Sequence, residues 1–192
     1  MKVIFLDHDG VICLSNNWGN RFKKQKKWGK RKLSMSTLEM PVEYRFDNFD
    51  EKAVSVLNEI LEKTGAEIVV SSDWKRWATV QEMGEYYESK GIIKKPFAFT
   101  DSILYDDYED FPWHRSLELE QTRSLEISQY IGQNPNITHW VAIDDLDMSL
   151  KSEGDKMWGL KNFVLTPINN QGIKQTGIKE KVLEFLIDEE NV

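Results

Sequence analysis

A single cysteine, Cys13, serves the whole 192-residue chain. That scarcity excludes an internal disulfide framework and a zinc site built from several thiolates. No apolar stretch approaches the ~20 residues that a membrane-spanning helix needs. The N-terminus enters a strand-like pattern at once, with no basic region followed by a hydrophobic signal segment. No internal repeat recurs at solenoid or propeller periods. A cytoplasmic protein without a membrane partner is the expectation. A net charge of −7 argues against indiscriminate nucleic-acid binding, although the mean conceals one strongly basic block. The rest is ordinary for a soluble globular chain, 40% hydrophobic and 30% charged, and long enough to bury a substantial core. One domain over residues 1–192 is expected, with an insertion inside it.

The first ten residues organise the reading. Val3-Ile4-Phe5-Leu6 is an apolar run that ends on Asp7-His8-Asp9-Gly10. Such a run fits a buried strand of a parallel sheet. Residues two apart on a strand share a face, so Asp7 and Asp9 converge where the chain leaves the sheet, while His8 points the other way as a structural residue. Ligand sites of open α/β sheets lie beyond the carboxyl ends of the strands. Two acids there suit a hard cation such as Mg²⁺. In isolation the same residues would read as two solvated acids in a turn.

Further along, Val11 to Asn20 reads as turn and loop with some extended character, and Cys13 as a packed residue. Arg21 to Lys32 is the basic block, interleaved with Phe22 and Trp28, and Leu33 to Asn48 is irregular. Asp50 is an N-cap for a helix through Lys63, closed by Thr64-Gly65. Its Ala53, Val54, Leu57, Ile60 and Leu61 form an apolar stripe. Ala66 to Val70 is a second buried strand delivering Ser71-Ser72-Asp73-Trp74, and a helix is expected from Trp74 to Ser89. Residues 92–121 are the least readable, with a short strand at Phe97 to Phe99, an acidic stretch from Tyr105 to Asp110, and Trp113-His114-Arg115. A helix from Thr122 to Ile131 carries Arg123 in its first turn. His139 to Ile143 is a strand ending on Asp144-Asp145, Asn162 to Leu165 a last short strand, and Lys179 to Glu189 a closing amphipathic helix. Strands alternating with helices predict right-handed crossovers and a three-layer Rossmann-like α/β fold with a central parallel sheet.

Asp7/Asp9, Ser71/Ser72 and Asp144/Asp145 at strand ends, with Arg123 at a helix start, form one constellation. In these motifs, their order and their spacing, the chain resembles the haloacid dehalogenase (HAD) superfamily of phosphotransferases over nearly its whole length. More narrowly, Ser71-Ser72-Asp73-Trp74-Lys75, the Arg123 to Ile127 stretch and Thr166-Pro167 through Gly172 are similar to HAD domains associated with RNA-repair proteins. A response-regulator receiver also gathers acids at strand ends, but normally keeps its acid pair and its phosphorylated Asp on different strands. A dehalogenase has less use for a metal-binding Asp-Asp pair.

The resemblance implies that Asp7 attacks phosphorus, that Asp9 acts as general acid and then base, and that Ser71 and Arg123 hold the phosphoryl group. Gly10, Ser72, Lys75, Arg76 and Trp28 are substrate-binding candidates. Mg²⁺ would take Asp7, the Asp9 carbonyl and an acid of the Asp144/Asp145 pair, with Asp145 favoured and Asp144 orienting a metal-bound water. Alternatives stay open. Either serine also suits a helix cap, Lys151, Lys156 and Arg115 compete with Arg123, and Asp147 reads as a helix N-terminal charge. Residues 14–49 occupy a common insertion point and form a cap or flap. Its cations with Trp18, Phe22 and Trp28 have the ingredients for a polyanion, phosphate partners and stacking rings; a solvated basic loop has the same composition. The leading function is a Mg²⁺-dependent phosphatase for a nucleotide or a nucleic-acid end. A small-metabolite phosphatase and a non-enzymatic nucleic-acid- or protein-binding module are the alternatives.

Overall fold

Strand β1 (Lys2–Leu6) is buried on both faces after its first residue, which fits only the middle of a covered sheet. The computed structural model describes residues 1–28, 37–103, 118–150 and 159–187. In it β1 pairs in parallel with β2 (Glu67–Val70) on one side and with β4 (His139–Asp144) on the other. Strands β3 (Pro96–Phe99) and β5 (Phe163–Leu165) form the edges, giving an all-parallel sheet of order β3-β2-β1-β4-β5. The expected HAD-like, Rossmann-type α/β fold is therefore present.

Alternate residues of the strands feed opposite faces. Ile4, Leu6, Ile68, Val70, Val141 and Ile143 join one core with the apolar stripes of α3 (Glu51–Thr64), α4 (Val80–Ser89) and α6 (Ile178–Leu186). Val3, Phe5, Val69 and Ala142 join a second with Ile127 and Tyr130 of α5 (Leu119–Gln133). Helix α3 follows its sequence signals closely. The Asp50 carboxylate accepts the Ala53 N–H, and Gly65 closes the helix in a left-handed conformation. No helix among the described residues is long and apolar enough to cross a membrane.

Several expected elements differ. The helix expected from Trp74 begins instead as a tight turn over Asp73–Trp77, and α4 starts afresh behind Thr79, whose capping box with Glu82 fixes the new start. Helix α5 starts three residues before Thr122, because Glu118 and Gln121 form the cap, and Arg123 therefore sits in its second turn. The basic block is helical as far as it is described, α1 spanning Asn20–Trp28. The nominally irregular stretch contains a turn at Thr37–Glu39 and the short α2 (Val42–Arg45). The closing helix α6 ends at Leu186, short of the expected Glu189, because Ile187 is extended. Gly29 to Ser36, the acidic stretch from Tyr105 to Asp110, Trp113 to Arg115, Lys151 and Lys156 lie outside the described residues.

Buried Arg45 ties α2 to the main body. Its guanidinium donates to the carbonyls of Leu38, Met40 and Trp77 and makes a bidentate pair with Glu82 at 2.8 and 3.0 Å. That pairing holds the Glu82 carboxyl below its ordinary range.

Candidate active site

Strand register assembles the centre. Leu6 lies opposite both Val70 and Ile143, and the ladder runs one residue further. The Ser71 N–H donates to Leu6 O at 3.0 Å and the Asp7 N–H to Ile143 O at 3.1 Å. Asp7, Ser71 and Asp144 thus form a row across three adjacent strands, on the face that β1 presents to α5. From α5 comes Arg123, whose Nη1 lies 2.8 Å from Asp144 Oδ2 and 3.3 Å from Asp7 Oδ1. Residue 8 faces the other core. His8 shares a 2.6 Å hydrogen bond with the Tyr87 hydroxyl, and burial lowers its pKa to about 3, so the ring is neutral.

The turn after Asp7 is built from backbone. His8 O accepts the N–H groups of Val11, Ile12 and Cys13, and Gly10 adopts φ +70°. A Cβ on Gly10 would lie 2.3 Å from Asp145 Oδ2, so glycine is required by conformation and by space. Thr166 Oγ1 lies 3.1 Å from Gly10 O and 3.2 Å from Asp144 O, joining the turn to the end of β4. Gly10→Ala should displace the Asp145 carboxylate and weaken divalent-cation binding by an amount on the order of 10-fold or more. Calorimetric titration of Mg²⁺ or Mn²⁺ into the variant checks this; unchanged affinity would count against a metal role for Asp145.

Asp9 is oriented from the turn that follows β2, which the inserted segment packs against. Trp74 Nε1 donates to Asp9 Oδ2 at 2.8 Å. The indole itself is sandwiched between Phe46 (4.6 Å, 6°) and Phe49 (5.4 Å, 11°). Burial raises the Asp9 pKa and the indole hydrogen bond opposes that rise. Cys13 is packed beneath this turn, its thiol pushed up by burial and by neighbouring acids, as befits an inert residue.

Asp7, Asp144 and Asp145 each bring an oxygen within 4.8 Å of the others. Desolvation raises all three carboxyls, and repulsion from Asp144 adds to the rise at Asp7 and at Asp145, which reaches about 6. Asp144 is already engaged, Oδ2 by Arg123 and Oδ1 by the Leu146 N–H at 2.9 Å. Among the described residues the Asp145 carboxylate meets no hydrogen-bond donor but its own backbone N–H, and it lines the cavity close to Asp7. Among the described residues three clustered acids face one guanidinium, an excess of negative charge that a divalent cation with oxygen preference would balance.

The two serines divide. Ser71 Oγ is buried with no partner among the described residues, a free polar atom at the strand end. Ser72 caps the following turn by accepting the Trp74 N–H, and its hydroxyl steadies the Asp7 carboxylate. Lys75 departs from the substrate-binding expectation. Its ammonium is buried, hydrogen-bonded to Thr100 Oγ1 at 2.8 Å and paired with Glu126 of α5. Glu126 also accepts the Ile103 N–H, so this pair joins β3, the serine turn and the helix that carries Arg123. Only the Arg-x-x-Glu spacing hinted at it. Arg76 is exposed beside Asp73 at 3.5 Å. Trp28 packs against Tyr44 with ring centres 5.5 Å apart. Asp147 does not start a helix; its carboxylate accepts from the Ser149 N–H and hydroxyl in a local turn.

Above the acids opens a cavity of about 430 Å³, lined by Asp9, Trp18, Gly19, Arg21, Phe22, Asp47 and Asp145. Asp47 was not singled out by the sequence, where it is one acid among 32 Asp and Glu residues. It receives the Gly19 and Arg21 N–H groups and so fixes the start of α1 above the centre.

A family model for the HAD domain in Swiss Army Knife RNA repair proteins matches residues 3–177. No curated protein and no solved structure matches the chain.

Proposed function

Since the chain belongs to the HAD domains of Swiss Army Knife RNA repair proteins, we propose that it is a Mg²⁺-dependent phosphohydrolase acting on the terminal phosphate of a nucleic acid or on a nucleotide. The observation that carries this reading is the row Asp7–Ser71–Asp144 with Arg123 bridging its two acids at 3.3 and 2.8 Å. A nucleophile, a cation and an unsatisfied hydroxyl converge where a tetrahedral anion would sit.

Asp7 attacks the phosphorus of the monoester, and the ester oxygen leaves with a proton from Asp9. The product is an aspartyl-phosphate on Asp7, which splits one hard displacement into two. Asp9, now ionised, takes a proton from water as that water attacks the same phosphorus, and the Asp7 carboxylate is released with inorganic phosphate. The indole of Trp74 fixes one oxygen of Asp9 and leaves the other for this proton transfer. Ser71 Oγ donates to a phosphoryl oxygen, and Arg123 offsets the charge that gathers there. Asp7, Asp145 and the Asp9 carbonyl would hold the cation, with Asp144 positioned by Arg123 behind them. When bound, Mg²⁺ supplies charge compensation between the nucleophile and an anionic phosphate.

Residues 14–49 are the flap of a single HAD domain, held by Arg45–Glu82 and by the stack on Trp74. The nucleic-acid reading over a metabolite phosphatase rests on the family and on the aromatic and basic wall of the cavity. Phosphate release is the test, from 3′- and 5′-phosphorylated oligonucleotides, mononucleotides and sugar phosphates, with Mg²⁺ and with EDTA. Metal-dependent release from oligonucleotide ends is expected. Release from sugar phosphates alone would favour the metabolite reading, and binding of oligonucleotides without any release would favour a binding module.

A further inference from the structure

Trp18 and Phe22 are large apolar side chains left 44% and 60% exposed on the wall of the cavity above Asp9 and Asp145. Their exposure is built in by polar anchors. Trp18 Nε1 donates to Cys13 O at 3.1 Å, which fixes the indole to the turn that follows the nucleophile. Asp47 receives the N–H groups of Gly19 and Arg21, and the buried Tyr86 hydroxyl donates to Asp47 O at 2.7 Å. Gly19 at φ +82° makes the bend that sets Phe22 one helical turn beyond Trp18. The guanidinium of Arg21 lies 5.0 Å from the centre of the Phe22 ring, lines the same cavity and has no carboxylate partner among the described residues.

We infer that this wall is a receptor for one unpaired nucleobase, the base of the terminal nucleotide that carries the scissile phosphate, with Arg21 taking the next phosphate of the strand. The inference rests on the phosphohydrolase reading and adds to it that the enzyme takes its substrate as a single-stranded or frayed end. Flat apolar faces beside an uncommitted guanidinium suit a planar ring attached to an anionic backbone. The floor supplies the second half of the match, because Asp9, which protonates the leaving oxygen in that reading, and Asp145 line the same cavity. A cavity of about 430 Å³ lies at the small end of ligand sites, with room for one nucleotide. Beyond it, α1 carries Lys23, Lys26 and Lys27 and no acid over its nine residues, while Lys24 turns inward to Phe46 O and Asn48. At ~1.5 Å per residue that helix is about 13 Å long, enough to run beside only a few nucleotides.

The test uses the full chain with Asp7→Asn, so that binding is read without turnover. Oligonucleotides phosphorylated at one end carry 2-aminopurine either in the terminal nucleotide or three positions inward, and a third set ends in an abasic residue. The inference expects quenching on binding for the terminal probe only, and binding of the abasic end weaker by about 10-fold or more. Trp18→Ala or Phe22→Ala, added separately, should bring the ratio between natural and abasic ends toward one. Phe22 is exposed, so its removal spares the fold even if Trp18→Ala does not. Equal quenching at both probe positions, an unaltered ratio in Phe22→Ala, or no binding of either end would overturn the inference. Mg²⁺-dependent release of p-nitrophenol from p-nitrophenyl phosphate by the unaltered chain separates that outcome from failure of the phosphohydrolase reading itself.

Discussion

Asp7→Asn is expected to lower phosphate release by at least about 10³-fold while raising the melting temperature of the metal-free protein. Loss of turnover follows because an amide cannot take a phosphoryl group as a carboxylate does. The gain in stability follows from the electrostatics of the empty acid cluster. Burial and the neighbouring Asp144 raise the Asp7 carboxyl well above its ordinary value, more than Arg123 lowers it. An acid whose pKa is higher folded than unfolded favours the folded state at low pH, and that contribution disappears as pH rises through the folded value. At neutral pH, well above the value of an unfolded aspartate, this buried carboxyl is therefore a net cost to the metal-free fold, which asparagine removes. Each kcal/mol relieved should appear as roughly 2–4 °C in a chain of this size. The same sign applies to Asp145, raised to about 6 by burial and by Asp144. Metal-free protein should melt higher at pH 5 than at pH 7, and Mg²⁺ should recover the difference at pH 7. Calorimetric scans at both pH values check this. A lower melting temperature for Asp7→Asn without metal would show the cluster to be already balanced.

Arg123→Met should do the opposite, losing activity and stability together. The guanidinium is buried and bridges Asp144 and Asp7, and those acids raise its pKa further against the pull of burial. Removing one member of a buried ion pair leaves the other charge without a partner, at a cost of about 3–5 kcal/mol. Loss of one pre-set donor to a developing phosphoryl charge costs on the order of 10²–10³ in turnover. Mg²⁺ should restore part of the stability, since it compensates the same carboxylates, but not the activity. Denaturant unfolding with and without Mg²⁺, beside steady-state rates, tests both halves. A variant that folds as stably as the parent and turns over within a few-fold of it would remove Arg123 from the centre.

The centre was legible because strand ends are. An apolar run of four residues can only be a covered strand here, and its last residue locates the next side chain within one position. Three such runs placed Asp7, Ser71 and Asp144, and parallel pairing then left no freedom in their row. Helix starts were less legible. The capping box at Thr79 and Glu82 was present in the sequence, but the apolar spacing continuous with Trp74 concealed it. Lys75 shows a different limit. A lysine beside a phosphate motif has the right charge for substrate, and only the approach of α5 brings Glu126 against it. Asp47 and the Trp74 sandwich depend on contacts between the insertion and the core, which no local pattern encodes. The different surroundings of Ser71 and Ser72, one hydroxyl buried without a partner among the described residues and the other capping a turn, likewise emerge only from the fold.

The most direct test of the account is whether phosphate passes through Asp7. Substrate labelled with ³²P in its terminal phosphate is mixed with the enzyme and Mg²⁺, and the reaction is quenched in acid within the first turnover. Label should remain on the protein, be released by hydroxylamine as expected of an acyl phosphate, map to the peptide containing Asp7, and be absent from Asp7→Asn. Rapid phosphate release with no protein-bound label at any time, together with turnover retained in Asp7→Asn, would contradict the account.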